Sequence, residues 1–221
     1  MIDAVVKVGG SLARTASLRS VCACLASAGR ERGLLVVPGG GASADVVRDL
    51  DERFGLQPDA AHWMAILAMD QYGLLLADLT PGAEVARTLD EARERLDHGS
   101  GAVVLLPSEP LRQADPLPHS WSVTSDSIAA WLTRKLHGRL LVLLKDRHGM
   151  AGLVAAAADG LADVVTLAEI AASRGVDGHL AELLGDAPFD FWAIDGDHPE
   201  RLTELLETGD TKGVRLAPRA P

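Results

Sequence analysis

The sequence is poor in cysteine and contains no long apolar run. Its two cysteines, Cys22 and Cys24, stand two positions apart in a helical pattern, which points them to different faces. We therefore expect two reduced thiols, which form neither a disulfide nor a metal site. No apolar segment reaches the length that spans a bilayer, and the amino terminus leads directly into a strand, unlike a signal peptide. These absences predict a cytoplasmic protein with no membrane partner.

The chain also lacks an excess of positive charge. It has 21 lysines and arginines against 31 aspartates and glutamates, which gives a net charge of -10. A field of this sign repels nucleic-acid phosphates, so no nucleic-acid partner is expected. Local cations and helix N-termini act at short range, so a small anionic ligand is still compatible with this composition.

Several motifs of familiar enzyme classes are missing. The sequence has no GxxxxGK[ST], so it is not a P-loop enzyme, and no HExxH, paired CxxC or GxSxG. These absences disfavour zinc hydrolases and serine esterases. Residues 39–44 match the degenerate dinucleotide fingerprint, but the acid expected about twenty residues later falls in a predicted helix. A nicotinamide-dependent oxidoreductase is the weakest alternative.

Buried strands alternate with helices along the whole chain. Apolar and β-branched runs predict strands at residues 4–8, 34–37, 102–106, 140–144, 162–165, 190–194 and 213–216. Helices are predicted at residues 18–32, from 42, 58–77, 90–98, 124–137, 167–174, 177–184 and 199–207, and a Pro-rich loop at 107–121. Strands and helices at such short intervals predict an α/β fold, with a mostly parallel sheet covered on both faces.

Three loops of similar composition follow predicted strands. They contain Lys7 with Gly9, Gly10 and Ser11; then Gly39, Gly40 and Gly41; then Lys145 with Asp146. Ligands of parallel sheets bind beyond the carboxyl ends of the strands, so these loops are expected at one edge. Bare backbone N–H groups and lysine ammonium groups suit phosphate. The sequence therefore predicts a phosphate-binding edge of the sheet.

Polar side chains also crowd the start of the helix at residues 124–127, where one residue would suffice as a cap. The surplus indicates a function beyond capping. Two interpretations stay open for His62, Trp63 and Met69 in the long helix: core packing, or one wall of a pocket in which His62 or Asp70 touches a substrate. Residues 195–198 fit a helix-capping turn better than a metal site.

The order of these motifs resembles the amino-acid kinase family. The matching segments are Lys7-Val8-Gly9-Gly10-Ser11, Gly39-Gly40-Gly41, residues 124–130 and residues 145–149. The resemblance spans the chain and implies a single domain over residues 1–221, folded as a three-layer αβα sandwich. It implies an N-terminal lobe, about 1–135, on the acceptor side and a C-terminal lobe, about 136–221, on the nucleotide side. ATP and Mg²⁺ would be the cofactors, and the helices after the glycine loop would join copies into a homo-oligomer.

The resemblance also implies roles by position. The catalytic residues would be Lys7, Asp126 and Lys145, with Asp126 orienting the catalytic lysine. Those on the nucleotide side would be Gly9, Gly10, Ser11, Lys145, Asp146, Gly149 and Lys212. Those on the acceptor side would be Gly39, Gly40, Gly41, His62, Trp121, Thr124 and Ser125. No side chain is assigned to a metal, and Mg²⁺ would bridge ATP oxygens.

Two departures from the family pattern affect these roles. Asp146-Arg147-His148-Gly149 replaces the usual Val-Asp-Gly turn, and the GMxxK segment with its second catalytic lysine is missing. Either Lys145 or Lys212 would take over that charge.

Within the family, residues 61–73 and 121–127 are most similar to the small kinases of methanofuran biosynthesis. Those enzymes phosphorylate an aminomethylfuran-methyl phosphate to its diphosphate, so a small phosphorylated acceptor is expected. The alternatives are a kinase of another small acceptor, such as isopentenyl phosphate, UMP or an amino acid, and an inactive nucleotide-binding or anion-binding protein of the same fold.

Overall fold

The computed structural model describes residues 2–99, 101–156 and 164–217, which build one sheet of eight strands between two layers of helices. The strand order is β3-β4-β2-β1-β5-β7-β8-β6, and every neighbouring pair is parallel except β7 with β8. The strands are β1 Ala4–Val8, β2 Leu34–Pro38, β3 Glu84–Ala86, β4 Val103–Leu105, β5 Leu140–Lys145, β6 Val164–Val165, β7 Asp190–Asp195 and β8 Val214–Leu216.

Ten α-helices and one short 3₁₀ helix, Gly10–Arg14, connect the described strands. The α-helices are α1 Leu18–Glu31, α2 Gly41–Phe54, α3 Pro58–Leu79, α4 Leu89–Asp97, α5 Ser108–Ala114, α6 Ser125–Lys135, α7 Arg147–Val154, α8 Leu167–Ala172, α9 Leu180–Leu184 and α10 Glu200–Thr208. No helix of the described residues is long and apolar enough to cross a membrane.

The sheet separates two hydrophobic cores because successive side chains of a strand point to opposite faces. Val6 of β1 packs in the core under α1 and α10, whereas Val5 packs in the core under α4 and α6. This arrangement confirms the predicted α/β three-layer αβα sandwich with a mostly parallel open sheet. Lys7 is two residues after Val5, so its side chain faces the α6 side of the sheet.

Most predicted elements are present with ends shifted by one or two residues, and the structure departs from the prediction at three places. The Pro-rich loop at residues 107–121 contains helix α5, with Pro110 in its first turn, where a missing N–H costs nothing. The three-residue strand β3 was not predicted. Helix α9 begins at Leu180, three residues later than predicted, and residues 162 and 163 of another predicted strand lie outside the described residues.

Candidate active site

Two lysines and one aspartate meet at the carboxyl edge of the sheet. Strands β1 and β5 are neighbours, and Lys7 is paired in register with Leu143. Lys145 is therefore two residues farther along β5 and faces the same side of the sheet, toward the first turn of α6, which carries Asp126. Lys7 Nζ lies 2.9 Å from Asp126 Oδ1, and Lys145 Nζ donates a hydrogen bond to Asp126 Oδ2. We call these three residues the lysine triad.

The lysine triad is almost completely buried. The exposed fractions are 5% for Lys7, 2% for Asp126 and 8% for Lys145. Burial alone would raise the pKa of Asp126, but the ammonium groups of Lys145 and Lys7 outweigh it and hold that pKa well below its usual range. Two cations share one carboxylate, so the triad carries one surplus positive charge, and Lys7 keeps N–H donors for a further oxygen.

Burial also lowers the pKa of Lys145 from its ordinary value. The carboxylate of Asp126 opposes this effect, and the nearby charge of Lys7 adds to it. An ammonium in this position is favoured most when an anion lies beside it. The site is therefore electrostatically suited to a phosphoryl group.

Asp177, in the loop before α9, holds the first turn of α6 in place. Its Oδ2 accepts hydrogen bonds of 2.9 Å from Thr124 N, Thr124 Oγ1 and Ser127 N, and its Oδ1 accepts one from Ser127 Oγ. The backbone N–H groups of His179 and Leu180 complete the set. The polar residues Thr124 and Ser127 at the start of α6 thus donate hydrogen bonds to a carboxylate that is distant in sequence. Local sequence patterns did not reveal this partner.

The two glycine loops predicted as separate anion sites lie in contact. A Cβ on Gly10 would lie 2.2 Å from Gly41 N, and a Cβ on Gly39 would lie 2.5 Å from Gly10 N. Gly41 also has a φ of 59°, which other residues rarely adopt. Glycine is therefore required here for backbone packing, and the two loops form one surface.

The residues predicted for the nucleotide side are spread over several elements. Gly9 N donates to Leu144 O, and Asp146 Oδ1 accepts a 2.9 Å hydrogen bond from Gly149 N, which caps α7. Lys212 is exposed in the loop before β8, and among the described residues no ion pair joins it to the lysine triad. Lys145 is thus the second lysine that the structure brings to Asp126.

Residues 195–198 form a turn before α10. Asp195 Oδ1 accepts a hydrogen bond from Asp197 N, and Asp197 Oδ1 accepts one from Ser17 Oγ. The helix itself begins after Pro199 without a side-chain cap. The turn is therefore stabilised by its own aspartates, while the expected side-chain cap of α10 is absent.

A cavity of about 550 Å³ opens between α2, α3 and the segment before α6. Six of the seven residues predicted for the acceptor line it: Gly40, Gly41, His62, Trp121, Thr124 and Ser125. The seventh, Gly39, lies against Gly10. Gly10 and Ser11, predicted for the nucleotide phosphates, also line the cavity, so the residues assigned to the two ligands adjoin.

Two arginines of the cavity wall were not identified from the sequence. Arg14 Nη2 lies 2.6 Å from Asp45 Oδ2, and the guanidinium of Arg48 lies 4.7 Å from the ring centroid of Trp121. Trp121 is fixed in turn because its Nε1 donates a 2.7 Å hydrogen bond to Asp51 Oδ2. The α2 residues of the cavity wall could have been found from their spacing, because positions 41, 44, 45, 48 and 51 share one face of a helix.

His62 and His119 stack in the same wall, with ring centroids 4.0 Å apart and planes 17° apart. His119 contacts Asp59 Oδ1 through Nδ1 at 2.7 Å and Asp115 Oδ1 through Nε2 at 2.8 Å. These hydrogen bonds raise the pKa of His119, whereas burial and the neighbouring His119 lower that of His62. One ring nitrogen of each histidine and a carboxylate oxygen of Asp115 lie within 4.8 Å of one another, but both ring nitrogens of His119 are already hydrogen-bonded to carboxylates.

The geometry fits an anion at the sheet edge and a small molecule in the cavity. The buried surplus charge of the lysine triad suits a phosphate group, and Gly10, Gly40 and Gly41 of the glycine loops line the neighbouring cavity. The triad carboxylate is occupied by two lysines, so Mg²⁺ would be held chiefly by the nucleotide, where it neutralises phosphate charge.

Known proteins share both the sequence pattern and the architecture. The model of the amino acid kinase family matches residues 4–152. A [5-(aminomethyl)furan-3-yl]methyl phosphate kinase of Methanocaldococcus jannaschii is 28% identical over 205 residues, which cover 92% of each chain.

Solved structures of low identity show the same fold. UMP kinase of Ureaplasma parvum superposes with a TM-score of 0.73 at 12% identity, covering 99% of this chain and all of that one. Isopentenyl phosphate kinase of T. acidophilum superposes with a TM-score of 0.61 at 17% identity, covering 97% of this chain and all of that one. The family match spans most of the chain and includes all three residues of the lysine triad; the protein belongs to the amino acid kinase family.

Proposed function

We propose that this phosphotransferase transfers the γ-phosphoryl group of ATP to a small phosphorylated acceptor, with [5-(aminomethyl)furan-3-yl]methyl phosphate as the first candidate. The observation that carries the proposal is the buried lysine triad, which holds surplus positive charge beside a cavity of small-molecule size. The acceptor itself is suggested by the name of the relative from Methanocaldococcus jannaschii.

A phosphorylated acceptor suits the cationic end of the cavity. Arg14 and Arg48 line this end from two different elements, with Asp45 between them. Helix α2 begins at Gly41, which also lines the cavity, and its N-cap residue Gly40 supplies no side-chain cap to the first N–H groups. Guanidinium groups and a helix N-terminus both favour phosphate.

The residues of the lysine triad would act on the transferred group by position and charge. An oxygen of the acceptor's phosphate attacks the γ-phosphorus of ATP, a new O–P bond forms, and the bond to the β–γ bridging oxygen breaks to release ADP. Lys7 would neutralise the charge on the transferred group, while Asp126 keeps that ammonium oriented. The acceptor would lie on the side of residues 1–135, and ATP on the side of residues 136–221.

Lys145 is our candidate for the charge that the missing GMxxK lysine supplies in other family members. It shares Asp126 with Lys7 and is nearly buried, whereas Lys212 is exposed. A Lys145→Met variant would therefore lose transfer, and a Lys212→Met variant would keep more of it.

An acceptor panel tests the proposed substrate. The protein is incubated with Mg-ATP and, separately, with the furan phosphate, isopentenyl phosphate, UMP or N-acetylglutamate, and ADP release is followed with product mass. The furan phosphate is expected to give the highest kcat/KM. Another preferred acceptor would assign that substrate instead, and a nucleotide that binds but is never turned over would indicate an inactive binding protein.

We also propose a homo-oligomer formed through α2 and α3. Large apolar side chains are exposed on these two helices, including Val46, Leu67, Leu74 and Leu75. A groove between the helices is lined by Val46 and Leu67, among others. A second copy would cover this apolar face.

A further inference from the structure

We infer that Asp51 binds a positively charged group of the acceptor, namely a primary ammonium, in the cavity wall one helical turn beyond Arg48. This inference rests on the proposed function and deepens it, because it assigns a residue to one chemical group of the acceptor. Asp51 lies in the last turns of α2 and lines the cavity.

Asp51 is a carboxylate fixed by neutral donors. Its Oδ1 accepts a 3.0 Å hydrogen bond from Leu56 N, and its Oδ2 accepts one of 2.7 Å from Trp121 Nε1. Within the described part of the chain, it forms no salt bridge. A fixed carboxylate with no cationic partner in a cavity wall has its charge free for a ligand cation.

The cavity is polarised along α2. Arg48 precedes Asp51 by three residues, a rise of about 4.5 Å along the helix axis. The cationic end of the cavity contains Arg14 and Arg48, whose charges Asp45 only partly offsets. A small acceptor with phosphate at one end and ammonium at the other would match this order of charges.

Trp121 contacts both charged residues. Its Nε1 donates a hydrogen bond to Asp51 Oδ2, and the guanidinium of Arg48 lies over the face of its ring. The chain has only 4% aromatic residues, yet this cavity is lined by Trp121 and by the stacked imidazoles of His62 and His119. Flat side chains of this kind favour a planar ring between the two charged groups.

Two other carboxylate sites are less suited to the ammonium. Asp45 is paired with Arg14 at 2.6 Å and with Arg48 at 3.5 Å. Asp115 and Asp59 both bind His119, which is positively charged when each of its ring nitrogens donates to a carboxylate. Of these carboxylates, Asp51 alone faces the cavity with neutral partners, so we assign the ammonium to it.

The test compares two acceptors that differ only in the amine: [5-(aminomethyl)furan-3-yl]methyl phosphate and (5-methylfuran-3-yl)methyl phosphate. Calorimetry without nucleotide measures the Kd of each for the wild type, Asp51→Asn, Asp115→Asn and the solvent-side control Asp49→Asn. We expect the wild type and Asp49→Asn to bind the amine about 10- to 100-fold more tightly than its analogue. Asp51→Asn should remove this preference and leave the Kd of the amine-free analogue within about threefold.

The outcomes separate this inference from the kinase proposal. If neither acceptor accelerates ADP release, the proposed kinase activity fails, while the difference between the two Kd values still decides the ammonium site. Equal binding of both acceptors by the wild type, or no binding of either, overturns the inference even if Asp51→Asn fails to fold. Loss of the preference in Asp115→Asn, with retention in Asp51→Asn, also overturns it.

Discussion

The chemistry proposed for this protein depends on two buried lysines that share one carboxylate. Lys7 lies in β1, and Lys145 is the last residue of the neighbouring strand β5. Only the parallel pairing of these two strands brings both ammonium groups to Asp126. Replacing Asp126 would leave two buried cations without a partner, a change that typically costs several kcal/mol of stability. Asp126 therefore has a structural role that is inseparable from its electrostatic one.

The lowered pKa of Lys145 predicts an alkaline limit of activity. Burial lowers its pKa, so a rise in pH removes its proton below the ordinary lysine value of about 10.4 and with it the surplus charge of the triad. We expect kcat/KM for ATP, which reports the free enzyme, to fall with an alkaline limb below that value. In Lys145→Arg the limb should move to higher pH because guanidinium stays charged. A profile of kcat/KM for ATP between neutral pH and pH 10 checks this, and an unchanged limb in Lys145→Arg would contradict it.

Residues with a chemical pattern of their own could be found from the sequence, whereas residues defined by distant partners could not. Lys7 follows a strand and precedes two glycines, and Asp126 stands in an unusually polar helix start. Asp177 has no such local signal, because its side-chain partners Thr124 and Ser127 are about 50 positions away. His119 contacts Asp115 four positions away, but its other partner, Asp59, is 60 positions away. Their contacts depend on the packing of loops.

At the scale of elements, the start of α6 is fixed from outside the helix. The carboxylate of Asp177 accepts hydrogen bonds from backbone and hydroxyl donors on both sides of Asp126. The loop before α9 therefore determines where the triad carboxylate lies. The sequence patterns predicted most strands and helices of the fold. Helix α5 was missed because its segment is rich in proline, and β3 was missed because three residues are too few to show a strand pattern.

Replacing Asp177 by Asn should reduce kcat about tenfold while the KM for ATP changes little. The amide has one acceptor oxygen in place of two, so the first turn of α6 loosens and the free energy of unfolding falls by about 1–3 kcal/mol. The charge of Asp177 also raises the pKa of Lys145. The alkaline limb of kcat/KM for ATP should therefore move to lower pH in this variant.

Steady-state kinetics over pH and chemical denaturation measure these effects. Asp210→Asn, an exposed position in the loop after α10, is the matched control and should leave both quantities unchanged. A variant that loses stability with no shift of the limb would show that Asp177 has only a structural role.

At the scale of the molecule, a continuous sheet places every loop of the site at one edge. The carboxyl ends of β1, β2 and β5 lie side by side, which explains why three separate glycine or lysine motifs meet. This convergence was predictable because parallel sheets bind ligands at that edge. The direct contact of the two glycine loops was not, since it depends on how closely their backbones approach.

The exposed apolar face of α2 and α3 predicts association. Light scattering after gel filtration should give a mass of at least twice the 23.2 kDa of one chain. A Val46→Asp/Leu67→Asp variant should be monomeric, because it places charges in the groove between the helices. Val154→Asp, at an exposed apolar position in α7, is the control and should keep the wild-type mass. A monomeric wild type would contradict the prediction.

The most direct test of the central claim is the mass of the product formed from Mg-ATP and the furan phosphate by the wild type, by Lys7→Met and by the surface control Lys135→Met. We predict a furan-methyl diphosphate and one ADP per product for the wild type and for Lys135→Met. For a folded Lys7→Met variant, we predict a kcat about 10²–10³-fold lower. ADP release that no acceptor accelerates, or full activity in Lys7→Met, would contradict phosphoryl transfer at the lysine triad.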